Sequence, residues 1–177
     1  IRSIEIVADS IVLNIDMKGN IRMSGIDSNE IDYYTQADGQ YKQGKLKLIG
    51  NTLIDYYTTA DGQDKAGKLK FVGNTVITYY DVYDGQNDNI GRIKIIGAIQ
   101  FAYNTVYDGF DNIGKLKSVG DEKITYYNRF DNNNAIKGKI KSIGNNTINY
   151  YTVYDGPDKN GLLKSINGND PFINVID

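Results

Sequence analysis

The chain has no cysteine, no histidine and no tryptophan, and only two prolines. Without cysteine there are no disulfides and no thiolate metal sites. Without histidine the commonest general base and the commonest metal ligand are both missing. Only three of the 22 acidic residues are glutamates (Glu5, Glu30 and Glu122), so strong helix formers are scarce. The net charge of −2 gives no field that would draw nucleic acid or an anionic membrane. No apolar run is long enough for a helical membrane span. The first residue is Ile1, which fits a processed product or a piece of a longer chain.

What is abundant is glycine, tyrosine and aspartate: 19 Gly and 15 Tyr in 177 residues, with Asp nearly all of the acid. Gly, Asp and Asn favour turns, and Tyr, Ile, Val and Thr suit a pleated surface. They are not scattered. A unit of 23–24 residues is written repeatedly, starting at Leu46, Leu69, Ile93, Leu116 and Ile140. Looser copies start at Ile1 and Ile21, and a truncated one at Leu163. A period of this length decides architecture before any local reading does.

Each unit opens on a segment such as LKFV, passes a pair such as Gly73-Asn74, continues through a Tyr-bearing segment, and returns through a polar stretch such as DGQDKAG. Gly as the first central residue of a two-residue loop predicts a type II′ hairpin. With Gly73-Asn74 as the loop, Val72 faces Thr75, Phe71 faces Val76, Lys70 faces Ile77 and Lys68 faces Tyr79. Alternation then places Lys68, Lys70, Val72, Ile77 and Tyr79 on one face, and Leu69, Phe71, Val76, Thr78 and Tyr80 on the other.

The expected fold is all-β. Residues 1–177 form a single repeat domain of about eight hairpins and about sixteen short strands, with irregular terminal copies at 1–20 and 163–177. The tandem hairpins make an antiparallel meander rolled into a strip or partial shell. A four-bladed propeller is the first alternative and a β-solenoid the second. Unclosed edge strands would allow self-association.

The residues Tyr80-Asp81-Val82-Tyr83-Asp84 followed by Gly91-Arg92-Ile93 resemble the YD repeat of Rhs-type proteins. Tyr151-Thr152-Val153-Tyr154-Asp155 followed by Gly161-Leu162-Leu163, and Tyr107-Asp108 followed by Gly114-Lys115-Leu116, carry the same resemblance. It covers roughly residues 21–166. Alanine stands before Asp38 and Asp61, and Phe130 before Asp131, where the pattern has tyrosine. The resemblance implies a spiralling hairpin strip, found in shells around toxin domains and in cell-surface proteins, and linked to carbohydrate binding. An extracellular or cell-surface location follows from it.

Two sets of side chains are candidates for chemistry. The Asp-Gly loops supply Asp61, Asp64, Asp84, Asp88, Asp108, Asp111, Asp155 and Asp158. Clustered carboxylates of this kind could hold Ca²⁺; they also serve as plain turn residues, satisfying local backbone N–H groups. The tyrosine pairs supply Tyr34, Tyr57, Tyr80, Tyr127 and Tyr151. A row of them flanked by Asp and Asn suits sugar stacking, whereas a packed row holds the sheet together. Departures from the pattern at Ala98-Ile99-Gln100, Asn104, Arg129 and Asn132-Asn133-Asn134 form no triad, phosphate loop or metal cluster. The chain is therefore expected to be no enzyme. The leading reading is a binding or adhesion module for carbohydrate or another protein, not nucleic acid. The alternative is a scaffold or shell segment with no small ligand.

Overall fold

The structure is a computed structural model and describes residues 3–26, 30–85, 87–131 and 134–168. Among the described residues there are fifteen strands. The first three are β1 (Ser3–Ala8), β2 (Ile11–Asp16) and β3 (Ile21–Ser24). Next come β4 (Ile31–Tyr33), β5 (Leu46–Ile49), β6 (Thr52–Tyr56), β7 (Leu69–Val72), β8 (Thr75–Tyr79) and β9 (Ile93–Ile96). The rest are β10 (Ile99–Tyr103), β11 (Leu116–Val119), β12 (Glu122–Tyr126), β13 (Ile140–Ile143), β14 (Asn146–Tyr150) and β15 (Leu163–Asn167). No α-helix occurs among the described residues, and no helix is long and apolar enough to cross a membrane.

β1 to β3 form a three-stranded meander, and β4 to β15 a 12-stranded one in chain order. Neither alternative architecture is formed. Two-residue turns such as Gly73-Asn74 allow only antiparallel pairing, which excludes solenoid stacking. Each hairpin also pairs with the one before it across the longer return loop, as β6 does with β7, so the order does not break into four-stranded blades. The order is linear, with β4 and β15 at its ends rather than joined in a barrel.

The tight turns match their sequence. Gly50, Gly73, Gly97, Gly120 and Gly144 have φ between 53° and 58°, and no residue that follows them has positive φ. That combination separates type II′ from type I′. Val72 pairs with Thr75 and Phe71 with Val76, as expected.

The expected alternation needs correction beyond that point. The ladder does not reach the Lys70–Ile77 and Lys68–Tyr79 pairs. On the other side of β7, Asp55 pairs with Phe71 and Tyr56 with Leu69, so Lys70 is the extra residue of a β-bulge. The bulge reverses the side-chain parity. Leu69 therefore turns inward with Val72, Ile77 and Tyr79, while Val76 stays exposed. Tyr80 lies past the end of its strand and is also buried. The same bulge leaves Lys47, Lys94, Lys117, Lys141 and Lys164 unpaired in the ladder.

The described chain divides into two compact units, one running from Ser3 to Gln100 and the other starting at Phe101, the boundary falling within β10. In the N-terminal unit β2 alternates cleanly, with Ile11, Leu13 and Ile15 fully buried. Each such side chain contributes about 1.5–3 kcal/mol by leaving water. Two contacts fix the ends of this small sheet. The Asp9 carboxylate in the β1–β2 turn accepts from the Asn74 N–H at 3.0 Å, and Arg92 donates to the Lys18 carbonyl at 3.1 Å. The irregular opening copy is thus a second layer over the β7–β9 region. The C-terminal unit buries Phe101, Leu116, Ile124, Ile140, Ile143 and Ile148. The closing copy beyond Gly168 lies outside the described residues.

Candidate functional site

The return loops carry the polar chemistry. Each begins with a 3-10 turn: Gln36–Asp38, Thr59–Asp61, Val82–Asp84, Val106–Asp108, Arg129–Asp131 and Val153–Asp155. The last residue is aspartate every time, and it closes the turn. Its Oδ2 accepts from the backbone N–H three residues earlier, at 2.9 Å for Thr58–Asp61, Thr105–Asp108 and Thr152–Asp155. In five of the six turns its Oδ1 takes the bulge lysine: Lys70 on Asp61 at 2.8 Å, Lys117 on Asp108 at 2.6 Å, Lys141 on Asp131 at 2.8 Å, Lys164 on Asp155 at 2.6 Å, and Lys94 on Asp84, while in the first turn Lys47 goes to Asp32 at 3.8 Å. Cap and bulge are thus one device, since the residue the ladder leaves over reaches the carboxylate that holds the loop.

This commits half of the proposed calcium set. Asp61, Asp84, Asp108 and Asp155 each serve a cap and a lysine. Asp111 is clamped by Arg129 at 3.1 Å and Lys137 at 3.1 Å. Asp64, Asp88 and Asp158 are exposed. Among the described residues no three acidic side chains gather as a metal site.

The lysines hold the carboxyls of Asp61, Asp108 and Asp155 down to about 2, from an ordinary 3.8. A carboxyl depressed in the fold contributes stability that is complete above its unfolded value and lost as pH falls through its folded one. The melting temperature should therefore drop between about pH 4 and about pH 2. Asp108→Asn should flatten part of that drop, and an unchanged profile would mean the pair is idle in solution.

The tyrosines expected to stack sugars mostly do not face water. Tyr34 and Tyr80 are 8% and 9% exposed, and Tyr57, Tyr127 and Tyr151 are half-buried. Their hydroxyls reach carbonyls of the next hairpin: Tyr34 to Ile54 at 2.9 Å, Tyr57 to Ile77 at 2.8 Å and Tyr127 to Ile148 at 3.0 Å. The rings meet Tyr56, Tyr79 and Tyr150 edge-on, with centroids 5.9–6.1 Å apart. The bulge lysines cover them, with Lys70 5.3 Å from the Tyr57 centroid and Lys141 5.2 Å from that of Tyr127. Burial raises the Tyr57 and Tyr80 phenols above their ordinary value. This row is mortar between hairpins. Asn104 stands in the same place and donates to the Lys115 and Leu116 carbonyls instead. Of the other departures, Arg129 pairs with Asp111, and Asn132-Asn133 lie outside the described residues.

Sequence reasoning passed over the middle residue of each 3-10 turn. Tyr83 in the N-terminal unit is 93% exposed. In the C-terminal unit Tyr107, Phe130 and Tyr154 are 96%, 82% and 97% exposed. The geometry forces this. The residue before the turn and its last residue are tied together by the cap, so the two residues between them point out. The threonine-x-x-aspartate spacing at Thr105–Asp108 and Thr152–Asp155 was the readable signal, being a capping box. Within the C-terminal unit β10, β12 and β14 all run into return loops, so the three rings sit at one end of the strands. Val106, Phe110 and Val153 are exposed beside them. Compared with known proteins, the chain matches no family model, no curated protein and no solved structure.

Proposed function

We propose that this chain is a non-enzymatic binding or adhesion module built from tandem YD-like hairpin repeats, and that its ligand is carbohydrate. In this reading the hairpins form a strip belonging to an extracellular or cell-surface protein. The ligand meets the return-loop edge, not the tyrosine row between the hairpins. One observation carries the proposal: Tyr107, Phe130 and Tyr154, at the same position of three successive capped turns, hold their rings almost wholly in water. A ring left in water forgoes about 1.5–3 kcal/mol of burial, and three in equivalent places argue for use. Aromatic faces flanked by Asp and Asn are what sugar C–H faces and hydroxyls require. Support for a non-catalytic role comes from the turn-closing aspartates Asp108, Asp131 and Asp155, whose oxygens are occupied by caps and lysines.

A glycan array probed with the full chain tests this. Wild type should bind, and the Tyr107→Ala/Phe130→Ala/Tyr154→Ala variant should lose binding while its melting temperature stays put, as exposed substitutions generally allow. If wild type binds no glycan, the scaffold reading stands instead, which the tyrosine–lysine mortar already favours.

A further inference from the structure

Resting on that reading, we propose that the C-terminal unit's loop edge takes an extended β-1,4-linked glycan, one aromatic ring serving each disaccharide. Successive return loops are separated by one hairpin, which is two strands. Neighbouring strands lie about 4.8 Å apart, so the loops follow one another at about 10 Å. An extended β-1,4-linked pyranose chain advances about that far for every two sugars. It also presents the same face again at each such step. An α-1,4-linked chain coils and cannot lie across three rings in a row.

The ring rather than its hydroxyl is what recurs, since the middle member is Phe130 and the outer two are Tyr107 and Tyr154. Stacking on a flat sugar face is therefore the shared contact, and a phenol hydrogen bond is not. The backbone that carries each ring is held in place. Each sits one residue before an aspartate held by a backbone N–H and by a lysine from the neighbouring strand: Asp108 with Lys117, Asp131 with Lys141, Asp155 with Lys164. Turns already held in place reduce the ordering that binding requires, and contacts along one chain multiply as in any multivalent ligand.

Calorimetry with the full chain and defined oligosaccharides tests the proposal. A cello- or chito-hexasaccharide, long enough for three rings, should bind about 100-fold or more tighter than the matching disaccharide. Tyr107→Ala, Phe130→Ala and Tyr154→Ala should each erode the hexasaccharide's advantage. Lys123→Ala, an exposed residue of β12 next to the Gly120-Asp121 turn at the opposite end of the strands, should not. Equal affinity for disaccharide and hexasaccharide, or for a malto-hexasaccharide, overturns the linear-chain inference and leaves carbohydrate binding intact. No binding to any glycan overturns both, and binding to phosphatidylcholine vesicles in its place would reassign the rings to a membrane surface.

Discussion

Ile77→Ala is expected to cost about 2–5 kcal/mol of stability, while Val76→Ala, one position away, should stay within about 0.5 kcal/mol. Ile77 is 0% exposed and pairs with Ile96 in the sheet, whereas Val76 is 53% exposed on the opposite face. Truncating Ile77 removes buried methyl groups and leaves a cavity that the two-sided packing of the N-terminal unit cannot close. Against a typical domain stability of about 5–15 kcal/mol, that is a large fraction. Leu69→Ala separates the bulged register from a simple one. Strict alternation groups Leu69 with Val76, and the bulge at Lys70 groups it with Ile77. Leu69→Ala should thus resemble Ile77→Ala in its urea midpoint at unchanged slope. A cost like that of Val76→Ala would mean that the bulge does not set the face.

The hairpins were readable because their signals are local. A glycine at the first turn position and an apolar residue just before it specify Gly73-Asn74 and its partners without any tertiary knowledge. The bulge was not readable, because alternation counts residues and not partners. Strict alternation puts Lys70 on the face of Val72 and Ile77 until β6 skips it. From that one shift follow the inward Leu69, the salt bridge to Asp61 and the lysine over Tyr57. The tyrosine pairs were legible as packing, but the choice of which ring meets water was not. Tyr80 and its equivalents were placed on a strand face, and they lie beyond the strand, where Tyr34, Tyr57 and Tyr127 reach the next hairpin. The exposed rings needed the capping aspartate to be seen as a cap and not as a metal ligand. The division at Gln100 coincides with no change in composition, so nothing in the sequence announces it.

Gly73→Ala should destabilise the chain more than Gly97→Ala, and the difference measures how the three-stranded sheet is held. Both glycines open two-residue turns, at φ +54° and +58°. A Cβ in that region costs about 1–2 kcal/mol at either site. At Gly97 the added carbon meets only the Thr75 Cγ2 at 3.6 Å, an ordinary contact. At Gly73 it would fall on the Asp9 carboxylate, the group that accepts from the Asn74 N–H. Asp9 must then move and the bond is lost, adding about 0.5–1.5 kcal/mol, together with any packing given up as the β1–β2 turn lifts. Asp9→Gly should rescue Gly73→Ala, because it removes the overlap and relieves the positive φ of 52° that Asp9 itself adopts. In a double-mutant cycle the two changes should therefore couple by more than about 0.5 kcal/mol. Equal costs at Gly73 and Gly97, with additive behaviour between Asp9 and Gly73, would show that the small sheet is not anchored at this turn. The burial of Ile11, Leu13 and Ile15 would then have to be held from the Arg92–Lys18 end alone.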